Sequence, residues 1–482
     1  MARMRIPADH HEELPGMTRR VALRRSAELI AGLSVGAQVM AATGADTAFA
    51  GRVRDAARHV HKPGYGPLVK HTGEMSLPAD FHVRSFGVAG SPMSDGLPTP
   101  RFHDGTTCFG VGGGRVRLLR NHEGYDPGHA LGKRNAYDRV AQGGVTTSLF
   151  DTHSGKLVSS SLVLNGTDNN CNGGPTPWGS WLTCEESTVG PLEGFEKKHG
   201  YVFEVPYGSR EPVDPVPIKA MGRFEHEACA VDPSSGIVYM TEDNGDPADG
   251  FYRYLPHVRG KLHRGGRLQM LAVEGRSGYV TYKHQKVGKV LHCEWVDIDD
   301  PDPHNAENHP DAVFEQGAAQ GAARFMGLEG AHWSKGSVYF VASEAGDADE
   351  GQIWRYTPVG HHKGRLVLLY ESGSASVLDQ PDSLAVSPRG GVVVCEDGDG
   401  EDVDGGTNFL RCLTPAGHIQ TFARNDTPMD LHFWDDEVPP GSIGRSEWSG
   451  ATYSPDGRWL FVHLQYPGKT YAITGPWERG WL

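Results

Sequence analysis

The 482-residue chain lacks, first of all, any surplus of positive charge: 46 Lys and Arg stand against 60 Asp and Glu, a formal net charge of −14. A nucleic acid or an anionic membrane surface needs a basic face to bind, so neither is expected as a partner. An anionic substrate would face the same repulsion, which only bound cations would offset. Cysteine is scarce as well. Seven residues, at 108, 171, 184, 229, 293, 395 and 412, are too few and too scattered for a disulfide scaffold, and their odd number leaves at least one unpaired. No apolar run is long enough to span a bilayer, so stable membrane insertion is not expected. There is no long low-complexity linker to divide the chain, and no stretch requires a helix of bundle length.

What the chain has instead is a recurring phrase, a polar turn followed by a short apolar run and an acid. It occurs at Val116 to Glu123, Trp181 to Glu186, Ile237 to Asp243, Val338 to Glu344 and Val392 to Asp397, and without the acid at Trp459 to Gln465. Continuous runs rich in Val, Tyr and Phe, bounded by Gly, read as buried strands. Several are preceded by another acid, a short apolar run and a Pro or Gly turn. Glu227, Glu329, Asp382 and Glu447 are the acids in those flanks. After the strand an acidic Gly loop leads to a further strand, as in Gly250 to Pro256, Gly351 to Pro358 and Asn408 to Pro415. Hairpin, loop and third strand make up a propeller blade, and spacings of roughly 50 to 100 residues allow one blade plus insertions. The fold class predicted is therefore all-β, a six-bladed β-propeller over residues 51–482. Residues 51–100 read as an irregular lead-in segment, and residues 291–325 as an inter-blade excursion ending in a short helix.

Residues 1–50 read as an export signal. Arg19 and Arg20 form a twin-arginine pair, Leu29 to Ala42 is a mild apolar stretch, and Ala48-Phe49-Ala50 is a cleavage site. The expected partner is the twin-arginine export machinery, and the expected destination is the periplasm, the cell envelope or the medium.

A propeller gathers acids from successive blades around its channel, although they lie far apart in sequence. Cys184, Glu227, Glu329 and Asp382 come from four blades, and Glu123, Glu185, Glu186, Glu242, Glu344 and Glu396 end the strand phrases. Carboxylates gathered so closely repel one another unless cations bind them. Cys184 stands directly before two acids, and a thiolate beside carboxylates favours a transition metal over calcium alone. His122 and His226 are candidate orienting groups.

Asn121-His122-Glu123, PTPWGSWLTCEE, GRFEHEA, RFMGLEGAHW, QPDSLAVSPRGGVVVCEDG, EWSGATYSPDG and the terminal AITGPW together resemble the PhoX-type alkaline phosphatases over most of residues 60–480. The resemblance implies a six-bladed propeller, twin-arginine export and a site of two irons with calcium ions nearby, Fe(3+) and Ca(2+) being the cofactors. Carried over by motif, the iron ligands and catalytic residues would be Cys184, Glu227, Glu329 and Asp382. A phosphate monoester would sit across the metals of a monomeric enzyme, and no His or Ser nucleophile would be needed.

Two positions depart from that family. Its phosphatases carry a Lys two residues before the acid matching Glu227, and an Arg two before the acid matching Glu329. Here Glu225 and Gly327 stand there. Weak phosphatase activity is therefore expected, raised by Gly327→Arg if the backbone accepts a side chain, with Arg324 or Lys335 as possible substitutes for the missing cations. A calcium-dependent hydrolase of lactones or phosphotriesters remains an alternative, as does a non-catalytic, calcium-stabilised binding propeller. Cys184 separates these from the first reading, since a purely calcium site has no use for a thiolate.

Overall fold

The computed structural model describes residues 62, 64–245, 248–398, 407–427 and 446–482. The export signal read over residues 1–50 lies outside the described residues, as do Asp246 and the 401–404 stretch of the acidic loops.

Strands β1 (Leu68–Lys70), β2 (Met75–Pro78) and β3 (His82–Phe86) come first. The first blade is a four-stranded antiparallel sheet of β4 (His103–Gly112), β5 (Arg115–His122), β6 (Gly143–Asp151) and β7 (Lys156–Thr167). The second has three strands, β8 (Asn170–Pro175), β9 (Ser180–Glu185) and β10 (Val202–Pro206). The third is β11 (His226–Val231), β12 (Val238–Glu242), β13 (Phe251–Pro256) and β14 (Gly266–Val273). Through β15 (Val290–Asp297) it is continuous with the fourth, β16 (Leu328–Ser334), β17 (Ser337–Ala342), β18 (Gln352–Val359) and β19 (Lys363–Glu371). The fifth is β20 (Pro381–Val386), β21 (Val392–Glu396), β22 (Phe409–Leu413) and β23 (Ile419–Asn425). The sixth is β24 (Trp448–Tyr453), β25 (Leu460–Leu464) and β26 (Lys469–Thr474), completed by β3.

The first strands of the blades, β4, β8, β11, β16, β20 and β24, lie side by side in that order, and β24 returns to β4, closing the ring. The six recurring apolar phrases form the second strands, β5, β9, β12, β17, β21 and β25.

The apolar core is divided among the six seams between blades, which explains why the phrases are continuously apolar. On β12, Val238 and Met240 pack toward blade two while Tyr239 packs toward blade four. On β21, Val392 and Val394 face blade four and Val393 and Cys395 face blade six. A strand buried on both faces has no polar side to alternate with. Helix α1 (Ala312–Ala319), expected in the excursion after β15, packs Val313, Phe314 and Gly317 inward, with Met270 of β14 against Gly317.

The lead-in segment is more regular than its sequence suggested. β2 pairs with β23 and extends blade five, and β3 pairs with β26 from Phe86↔Thr470 to His82↔Thr474. These strands take their order from the sheets they join. Among the described residues, no helix is long and apolar enough to cross a membrane.

Candidate metal centre

Each blade's first strand begins with the same irregularity. Its pairing to the second strand slips immediately after His103, Asn170, His226, Leu328, Pro381 and Ser449, two residues facing one across the ladder. Such a bulge bends the strand and re-aims a side chain. The first bulged residues are Asp104, Cys171, Glu227, Glu329, Asp382 and Gly450, so five of the six blades offer a metal-binding side chain at one structural position. The second bulged residues are Gly105, Asn172, Ala228, Gly330, Ser383 and Ala451, none of them large. Close packing between neighbouring blades demands this. A Cβ on Gly105 would lie 2.5 Å from Asn172 Cα, and one on Gly330 would lie 2.9 Å from the Asp382 carbonyl oxygen. Asn121 anchors the second bulge by donating from Nδ2 to the carbonyls of Cys171 (3.0 Å) and Asn172 (2.8 Å).

Donor atoms from these positions converge in overlapping triplets, each with its atoms within 4.8 Å of one another: Cys171, Glu186 and Glu227; Glu186, Asp243 and Glu329; Glu227, Glu329 and Asp382; Asp104, Asp382 and Glu447. Shared members join the triplets into one site of eight residues drawn from all six blades. Burial raises the Asp104 carboxyl well above the usual range, and the charges of Glu123, Asp382 and Glu227 add to the shift. Glu447 is raised likewise, by burial and then by Asp397, Asp382 and Asp104. The Cys171 thiol is pushed up by burial and by Glu227 and Glu186. Asp104 Oδ1 is buried without a hydrogen-bond partner. Bound cations would reverse these penalties. Hard carboxylate oxygens fit calcium, and a thiol among them fits a transition metal.

The sequence profile of a family described as alkaline phosphatase PhoX matches residues 158–468. The chain belongs to the PhoX alkaline phosphatase family. Among solved structures, PhoX of Pseudomonas fluorescens in complex with vanadate, a transition state analogue, superposes with a TM-score of 0.62 at 18% identity, covering 85% of this chain and 97% of that one. A gluconolactonase of Xanthomonas campestris, XC5397, gives a TM-score of 0.41 at 11% identity, over 85% of this chain and 98% of that one. No curated protein sequence matches the chain.

Within this PhoX-family site, the structure brings together Glu186, Glu227, Glu329 and Asp382 of the residues expected from sequence. Cys184 is not among them. It lies on β9, across the ladder from the Cys171 bulge, and its side chain joins the apolar seam between blades two and three, with its sulfur 3.5 Å from that of Cys229. Cys171, on the bulge opposite, is the cysteine whose sulfur lies with the Glu186 and Glu227 donor atoms.

Three of the expected strand-end acids are occupied elsewhere. Glu185 accepts from His199 Nδ1 (2.7 Å) and from the amides of Asp168, Gly200 and Tyr201. Glu242 accepts from Gly250 N and Tyr252 Oη. Glu396 pairs with Arg411 at 2.6 Å and accepts from the amides of Asp379 and Phe409. The cause is the period-two alternation of a strand: the residue paired to the first strand turns back into the blade, and the next one, such as Glu186 or Asp243, turns to the channel. Glu123 and Glu344 stand outside the four triplets. Glu123 accepts from Tyr125 Oη and Gln465 Nε2, both at 2.6 Å. Glu344 follows Ser343, whose hydroxyl donates to Glu329 at 3.1 Å.

Asp104, Cys171, Asp243 and Glu447 were the members missed. Asp104 precedes the first apolar phrase, and Cys171 lies in a polar loop-like run. Only the bulge register, which sequence does not display, aligns them with Glu227, Glu329 and Asp382.

His226 packs at a tilt against Phe224 with ring centroids 3.6 Å apart and contacts the Gly222 carbonyl through Nε2, so it braces the segment leading to Glu227. Gly327 has φ of +56°, and a Cβ there would lie 2.4 Å from Ser343 Oγ. The Gly327→Arg substitution considered from sequence is therefore strained at the backbone. Lys335 occupies the hairpin turn at the far end of β16 from Glu329, about 20 Å along the strand. Arg324 lies over the Phe314 ring.

Proposed function

We propose that the protein is an exported, metal-dependent phosphomonoesterase whose site is the eight-residue ring, with Cys171 in the transition-metal position. The observation that carries this reading is the convergence of seven carboxylates and one thiol from six blades in a chain of the PhoX family. Iron held with Cys171, Glu186 and Glu227 and calcium held among the remaining acids fit the chemistry of these donors. Bound there, the metals would polarise the nonbridging oxygens of a phosphate monoester and offset its negative charge.

The chain's own residues supply position. The bulges aim the donors, the Ser343 hydroxyl orients Glu329, and Asn169 Nδ2 holds Glu186 Oε2 at 3.2 Å. Phe102 packs edge-on against Tyr125, whose hydroxyl holds Glu123. With Glu225 and Gly327 where relatives carry cations, substrate retention falls to the metals, and each absent charge-assisted hydrogen bond costs about 1.5–3 kcal/mol. Weak, calcium-dependent turnover follows.

Metal analysis coupled to p-nitrophenyl phosphate hydrolysis tests the reading. Cys171→Ser should reduce bound iron and turnover at least ~10-fold, while Cys184→Ser keeps both. Inertness of fully metal-loaded wild type, or loss of iron from the Cys184 variant alone, would overturn it. Export by the twin-arginine route belongs to the same proposal. Arg19→Lys with Arg20→Lys should leave precursor in the cytoplasm, and unchanged export would refute the signal.

A further inference from the structure

The seam between blades six and one carries histidines and a buried arginine where three other blades place an acid. On the second strands, the residue paired to the start of the first strand is Glu185 in blade two, Glu242 in blade three and Glu396 in blade five, each a buried acid with internal donors. In blade one that place belongs to His122, opposite His103, and in blade six to His463, opposite Ser449. Beside these histidines, Arg120 of β5 is only 3% exposed.

Arg120 reaches three neutral acceptors: His122 Nε2 from Nε at 3.4 Å, Thr470 Oγ1 from Nη1 at 2.6 Å and Thr146 Oγ1 from Nη2 at 3.3 Å. A guanidinium has five N–H donors and keeps its proton in proteins. Two donors are therefore left over, and among the described residues no carboxylate pairs with the charge. His463 is fully buried, and neither of its ring nitrogens has a partner; His103, also fully buried, leaves Nδ1 without one. The rings of His103 and His122 are 4.9 Å apart, and those of His103 and His463 5.9 Å. Buried charges in proteins are paired, and buried N–H groups are bonded. A cation is excluded here by Arg120 itself.

We propose that one small monovalent anion, a halide, occupies this seam, held by the Arg120 guanidinium and a ring N–H of His463. It takes the part played by Glu396 beside Arg411 in blade five, with the negative charge supplied from solution. The anion joins β5 of the first blade to β25 of the last, at the closure of the ring.

The test uses the full, metal-loaded chain. Crystals grown in bromide should show an anomalous peak beside Arg120. In solution at fixed ionic strength, replacing methanesulfonate by chloride or bromide should raise the melting temperature saturably, by about 3 °C. Arg120→Met should abolish both signals. Should that variant not fold, His463→Phe, which keeps the cation, should raise the half-saturating halide concentration about tenfold for the loss of one N–H donor. An ordered water without anomalous signal, or equal melting temperatures in halide and methanesulfonate, overturns the proposal.

Discussion

At the scale of single residues, the buried polar groups divide into those that face the channel and those that brace it. Glu185 belongs to the second kind. Its partner His199 is fully buried, with Nε2 3.4 Å from Asp138. Burial opposes charge on this imidazole, yet the Glu185 and Asp138 carboxylates lift its pKa to about 10. Because the folded value lies above the unfolded one, this stabilisation is complete below about pH 6.5 and is lost as pH rises toward 10. His199→Gln should therefore lower the melting temperature most near pH 6, and the gap to wild type should narrow toward pH 10. A pH-independent gap would reduce His199 to a packing role. The different placement of Cys184 and Cys171 is decided at this scale too. Cys184 has two acids beside it in sequence and Cys171 has none, yet the direction in which each side chain leaves its strand puts Cys171 in a candidate triplet and Cys184 in the seam.

At the scale of elements, the second strands were legible because burial on both faces writes an uninterrupted apolar run, and the six phrases from Val116 to Gln465 fall on them. The first strands were half legible. Glu227, Glu329 and Asp382 were recognised by the acid before a short apolar run, whereas Asp104 and Cys171 lack that context, and a bulge leaves no periodic trace. Strands β2 and β3 were hidden because their pairing is borrowed from strands some 350 to 390 residues later. The bulges make a definite demand on side-chain volume. Gly105→Ala should cost about 1–3 kcal/mol by pressing blade one against Asn172 and should reduce metal content with it. Gly73→Ala, where a Cβ meets nothing within 4 Å, should stay within about 0.5 kcal/mol of wild type. Calorimetry on the two variants checks the contrast.

For the whole molecule, the ring of acids sets how stability responds to metal removal. Asp104 and Glu447 have carboxyl groups raised by burial and by the neighbouring carboxylates, so without cations their contribution is fully present at low pH and is lost as pH rises through the raised values. Chelator-treated protein should melt progressively lower as pH increases from 5 to 8, while metal-loaded protein changes little, and calcium should restore the difference. Parallel profiles with and without chelator would contradict this. The closure of the ring has a consequence in time. β3 is made before β26, the strand it pairs with, by the length of residues 87–468, so the circle cannot be sealed until β26 has been synthesised. Until then β3 waits as an unpaired edge, the nascent ring is an open arc with two exposed ends, and the donors of blades one and six cannot yet face each other. The metal capture proposed across that seam would therefore have to wait for β26.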